Sequence, residues 1–142
     1  MIQFSDSMSE TTTRLRLPNH IVPYAFTFLW DNQKVWALTI PTEMMSVAEL
    51  EWHLDIPWLH TPGGRFDVTP SDIMRYPDQY RVQYDRTMAS DLTYPIDVMF
   101  NVATNRWQIL DGLHRLMKSM ALGIDTVTVR KVTDEMIPLI QK

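Results

Sequence analysis

The stretch Trp107-Gln108-Ile109-Leu110-Asp111-Gly112-Leu113-His114-Arg115-Leu116 limits the fold more than any other part of the chain. Apolar residues run straight into Asp-Gly, and an amphipathic pattern starts at once behind them. Leu113, Leu116, Met117, Met120 and Ala121 recur at helical spacing, and Gly123 stands where a C-cap is expected. Val127 and Val129 then alternate with Thr128 and Arg130, which are expected to face outward from a strand over 126–132. The pattern therefore reads strand, tight turn, helix, strand. A helix that opens so abruptly leaves its first amides without internal partners at the positive end of its dipole. Such an end is a natural seat for phosphate or another anion.

The upstream chain fits an α+β fold. Residues 94–100 read as a strand that pairs with 106–110 across 101–105. Residues 21–30 and 35–40 are rich in β-branched and aromatic side chains, with Asp31-Asn32-Gln33-Lys34 between them. This predicts an N-terminal β-hairpin with Phe26, Phe28 and Trp30 on one face. Ser46 and Glu49 have capping-box spacing, which predicts a helix reaching His53 or Leu54 and stopped at Asp55-Ile56-Pro57. Residues 58–65, with Gly63-Gly64, form a loop, and 66–68 a short strand. Thr69-Pro70 opens a short helix over 71–76. Pro77 opens another, with Asp78 in its first turn and Tyr80, Tyr84 and Met88 as its buried stripe. Thr133-Asp134-Glu135 begins a short terminal helix. The expected division is a flexible arm over 1–19, a hairpin-and-helix extension over 20–63, and a core over 64–142.

Charge and cysteine usage narrow the chemistry. The formal charge is −4, which argues against a duplex-DNA binder working through a general basic surface. Residues 31–100 hold five Lys/Arg and eleven Asp/Glu, a net of −6, while residues 106–132 hold five Lys/Arg and two Asp, a net of +3. The positive segment is the one that carries the turn. The absence of cysteine excludes thiol catalysis, disulfides and cysteine-based zinc sites. No run approaches the ~18 apolar residues of a membrane span. No membrane association and a cytoplasmic location are the resulting expectations.

The candidate site is read residue by residue. Gly112 supplies the turn, and Arg115 offers a fork of donors to a phosphate. His114 is a second phosphate ligand or a proton relay. Asp111 is either an N-cap or, since a carboxylate beside a phosphate is repelled unless a cation bridges them, a ligand to Mg²⁺. Phosphoryl transfer needs a base, for which Asp78 is the first candidate and Asp72 and Glu43 the next. Arg86 and Asp91 flank the strand that leads to the site. His53 and His60, with Asp55 between them, lack a spacing that makes them converge on a metal.

The segment 109–115, the following helix, Leu122-Gly123 and the strand over 126–132 resemble the ParB/sulfiredoxin-like superfamily. Its members share a strand, a G-x-H-R or G-E-R-R turn at a helix start, an "LG" and a short V-x-V strand. Val68-Thr69-Pro70-Ser71-Asp72-Ile73 with Pro77 resembles the family's first strand and helix. Leu92-Thr93-Tyr94-Pro95-Ile96-Asp97-Val98 resembles its L-x-x-P-I-x-V strand. The resemblance spans residues 64–132 and implies a site for ATP or CTP phosphates at the turn. The sulfiredoxin cysteine position is Leu113 here, which argues against that activity. Only ten residues follow Val132, too few for the helix-turn-helix of partition proteins. Asp111-Gly112 with His114 and Arg115 is most similar to the free-serine-kinase-like branch, whose histidine stands one place earlier in its turn.

The leading expectation is thus a nucleotide-binding domain that moves or hydrolyses a phosphoryl group with Mg²⁺ and ATP or CTP. Its acceptor is an unnamed small molecule or protein, and it has the option of a homodimer. The alternative is a non-catalytic, partition-related regulatory module that docks a protein through its aromatic hairpin. A nuclease is the least favoured reading.

Overall fold

The computed structural model describes residues 17–142, so residues 1–16 of the expected arm lie outside the described residues. A four-stranded mixed sheet organises the rest. Its strands are β1 (Glu43–Ser46), β2 (Ile96–Asn101), β3 (Arg106–Asp111) and β4 (Thr126–Val132), in the order β1-β4-β2-β3. β2 and β3 form the expected antiparallel pair, β4 lies parallel to β2, and β1 closes the far edge antiparallel to β4. An irregularity between Asp97 and Val98 sets Asp97 opposite Asp111.

Both faces of the sheet are covered. On one, Ile96, Val98, Ile109, Val127 and Val129 meet Leu116, Met45, Val47 and Leu50. On the other, Met99, Leu110 and Val132 meet Phe28, Val35 and Ile140. The residues of β2 are buried from Ile96 to Met99, as a strand covered on both sides requires.

The helices are α1 (Asn32–Trp36), α2 (Pro70–Arg75), α3 (Arg81–Ala89), α4 (Leu113–Ala121) and α5 (Ile137–Ile140). α2 starts as its sequence dictates: Thr69 accepts from the Asp72 amide with Pro70 at the first turn. α4 ends in a Schellman arrangement, where Gly123 at φ +74° lets its amide reach Met120 O while the Ile124 amide reaches Ser119 O. No helix among the described residues is long and apolar enough to cross a membrane.

Four expectations need correction. The N-terminal hairpin does not form. Residues 22–24 are a 3₁₀ turn and Asn32–Trp36 is helical, because the Asp31 carboxylate accepts from the Gln33 amide and caps a helix instead of closing a β-turn. Phe28 is nonetheless buried, with Phe26 and Trp30 packed about it, so this aromatic cluster covers the sheet without pairing to it. Ser46 does cap, accepting from the Ala48 amide, but two short 3₁₀ segments follow in place of an α-helix. The strand over 66–68 reduces to a bridge between Leu59 and Val68, since Phe66 turns the chain at φ +48°. The helix after Pro77 starts only at Arg81, and it buries Thr87 more deeply than Met88. The 20–63 segment supplies β1 and part of both core layers.

Candidate functional site

β3 ends on Asp111, Gly112 takes φ +114°, and α4 begins at Leu113. A side chain at 112 would meet more than backbone strain: a Cβ there would lie 2.9 Å from Arg115 Nη1 and 3.2 Å from Ile96 Cα. The Leu116 amide bonds to Gly112 O at 3.1 Å. The amides of Leu113, His114 and Arg115 have no acceptor among the described residues, as expected for the first turn of a helix.

On one side of this turn lies a cavity of about 520 Å³ lined by Trp36, Tyr94, Pro95, Asp97, Arg115 and Arg130. Arg115 donates through Nη1 to Pro95 O at 2.8 Å, lies 3.5 Å from Asp111 Oδ2 through Nη2, and faces the Tyr94 ring at 6.0 Å. Asp111 Oδ2 also accepts from the Trp36 indole at 2.8 Å, while its Oδ1 has no partner among the described residues. Arg130 is turned inward, against the expectation from strand alternation. Its Nε meets Asp97 Oδ1 at 2.7 Å, and its two terminal nitrogens hold Leu38 O and Val35 O at 2.9 Å each. Burial pushes the Asp97 carboxyl above its ordinary range, against the pull of Arg130 and with a further push from the Asp111 charge. Two guanidiniums, one carboxylate and two aromatic rings therefore line one recess, with Asp111 bonded to its Arg115 and Trp36.

On the other side lies a cavity of about 260 Å³ whose lining includes Trp30, Trp58, Leu113, Asp111 and His114. His114 Nε2 lies 2.9 Å from Gln83 Oε1, and Gln83 Nε2 donates to His60 O at 3.1 Å. A backbone carbonyl only accepts, so this second bond fixes the Gln83 amide with its oxygen toward the imidazole. His114 Nε2 must then carry the proton, and Nδ1 is left as a lone-pair acceptor. Burial lowers the His114 pKa to about 4, helped by the Arg86 and Arg115 charges and opposed by Asp111. The ring is therefore neutral near pH 7, and its one N–H is already committed to Gln83. This suits proton acceptance better than donation to a phosphate.

The structure brings Asp111, Gly112, His114 and Arg115 together at one turn and leaves the other candidates elsewhere. Asp78 is almost fully exposed and ion-paired with Arg81 ahead of α3, and it lines neither cavity. Asp72 sits in the first turn of α2, and Glu43 pairs with Lys131 at 2.9 Å on the sheet edge. Asp91 accepts from the Thr93 side chain and amide, which holds its carboxyl below the usual range. His53 is structural: Nδ1 bonds Leu50 O at 2.8 Å, Nε2 accepts from the Ile109 amide at 3.1 Å, and burial lowers its pKa to about 4. His60 is a separate exposed group that accepts from the Phe66 amide. Among the described residues no three His, Asp or Glu side chains converge on a point.

Sequence reasoning did not place Trp36, Tyr94, Arg130, Asp97 or Gln83 at the turn. The L-x-x-P-I-x-V strand already contained Tyr94 and Asp97, and proximity to the turn was the one available signal for them. Comparison with protein-family models, curated proteins and solved structures gives no match to this chain.

Proposed function

We propose that this chain is a nucleotide-binding domain of the ParB/sulfiredoxin-like kind, holding phosphates at the 111–115 turn and transferring or hydrolysing a phosphoryl group. One observation carries the reading. The Arg115 guanidinium, on the same turn as the free first-turn amides of α4, lines a cavity of about 520 Å³ together with Arg130, Trp36 and Tyr94. Amides at a dipole end and a planar guanidinium recognise phosphate, and the rings offer faces for a base or ribose.

Asp111 fits a cation in this setting. Mg²⁺ is commonly held by one or two carboxylates with phosphate oxygens completing its shell, and Asp111 Oδ1 is open for that role. When bound, the ion would neutralise phosphate charge. Arg115 would then exchange part of its contact with Asp111 for phosphate oxygens, while its bond to Pro95 O keeps the fork in place. Asp78, the first candidate base from sequence, gives way to His114 in this reading, because its carboxylate is committed to Arg81 away from the turn.

A thermal-shift screen with ATP and CTP, each with and without Mg²⁺, tests the reading. The expected result is a raised melting temperature with at least one Mg-nucleotide, lost in Arg115→Ala. The absence of a shift with every nucleotide would contradict it.

A further inference from the structure

The second cavity at the turn differs in kind from the first. Its neighbour, about 220 Å³ in volume, shares Trp30, Trp58 and Gln108 with it and adds Phe26, Phe28 and Leu29. Together they make an aromatic recess with no guanidinium in its lining. The Asp111 carboxylate on its wall opposes an anion there, whereas a flat apolar group would gain by burying its area.

The polar side chains along the recess are nearly all spent. Trp30 Nε1 donates to Asn32 Oδ1 and Trp58 Nε1 to His53 O. Gln108 donates to Tyr24 O at 2.7 Å and accepts from Asn101 Nδ2 at 2.9 Å. His53 uses both ring nitrogens on backbone. What remains is the Tyr24 hydroxyl in the smaller cavity, Asp111 Oδ1 beside the guanidinium side of the turn, and His114 Nδ1, which has no partner among the described residues and is the one acceptor-only nitrogen of the three. The Gln83 bridge to His60 O fixes the tautomer that leaves Nδ1 bare. Arg86, Asp111 and Arg115 are the charged groups acting on this ring.

We propose that this aromatic recess binds an uncharged ring compound carrying a hydroxyl, that the hydroxyl donates to His114 Nδ1, and that Gln83 is the residue positioning the imidazole. The binding claim stands without the nucleotide reading, and the chemical role rests on it. As acceptor in a phosphoryl transfer, the compound gives its hydroxyl proton to Nδ1 while its oxygen forms a bond to the transferred phosphorus. The P–O bond to the leaving phosphate breaks and its electron pair stays on that phosphate.

The test is ¹⁵N NMR of the histidine side chains in the full chain at neutral pH, with phenol, toluene and inorganic triphosphate as separate probes. The expected free protein shows His114 protonated at Nε2 alone. Phenol then shifts the Nδ1 resonance saturably and toluene does not. Gln83→Ala brings in the second tautomer, and Gln83→Glu, which keeps an acceptor oxygen, restores the single Nε2–H form. An Nδ1–H tautomer in the unaltered chain, or no response to phenol, overturns the proposal even if a variant fails to fold. Triphosphate separates the two claims. Stabilisation by triphosphate through Arg115 without a phenol response sinks this proposal alone. A phenol response with no effect of any nucleotide sinks the phosphate reading alone.

Discussion

Gly112 and Gly123 both sit at positive φ, yet their surroundings give them different sensitivities. Nothing lies within 4 Å of a Cβ built at Gly123, so Gly123→Ala should cost only the left-handed backbone penalty of roughly 1–2 kcal/mol. At Gly112 the same change adds a close approach to Ile96 backbone and to Arg115 Nη1. Gly112→Ala should therefore be the more destabilising of the two by about 1–3 kcal/mol in urea unfolding, and it should displace Arg115 as well. Equal costs would mean that the turn relaxes freely. The histidines give a pH signature. His53 and His114 both titrate near 4 in the folded chain against about 6.5 ordinarily. Between those values the unfolded chain binds the extra protons, so stability is full above pH 6.5 and falls as pH drops toward 4. Each ring contributes up to about 1.4 kcal/mol per pH unit. Denaturation midpoints across that range should show the fall, and His114→Gln should make it shallower. A flat profile would contradict the buried neutral rings.

The elements differ in how far the sequence revealed them. The run from β3 through α4 to β4 was legible because each local preference agrees with the packing: apolar strand, Asp-Gly, a one-sided helix, a glycine stop and a β-branched strand. Residues 21–40 were not. Phe26, Phe28 and Trp30 alternate as in a strand, but they lie on irregular chain that packs flat against the sheet, and Asp31 caps a helix where a turn was expected. Alternation reports which side chains are buried and says nothing about what the backbone pairs with. Tertiary contacts settle this segment: Arg130 reaches from β4 to hold Leu38 O and Val35 O while it pairs with Asp97. Arg130→Met should thus cost about 3–5 kcal/mol, since it strands a buried carboxylate. It should also speed hydrogen exchange selectively over residues 32–40. Uniform acceleration across the molecule would show that Arg130 does not anchor this segment in particular. The candidate site was half legible for the same reason. Asp111, Gly112, His114 and Arg115 lie within one five-residue stretch, whereas Trp36, Gln83 and Arg130 reach the turn only through the fold.

At the scale of the whole molecule, the candidate site of an acidic chain lies at one end of one strand. The sheet is covered on both faces, so the C-terminal end of β3 is where free helix amides, guanidiniums and aromatic rings can meet a ligand. The turn divides two unlike recesses, one lined by Arg115, Arg130 and Asp97 and the other mainly aromatic and apolar, and the proposed transfer would place a phosphate donor in the first and a neutral acceptor in the second. The central claim is that the cationic recess binds phosphate through Arg115. Isothermal titration of Mg-ATP and Mg-CTP into the intact chain and into Arg115→Ala tests it most directly. The account predicts saturable binding of at least one nucleotide that weakens at least about tenfold in the variant, a loss of roughly 1.4 kcal/mol or more. Binding of equal strength in both proteins, or no binding in either, would contradict it.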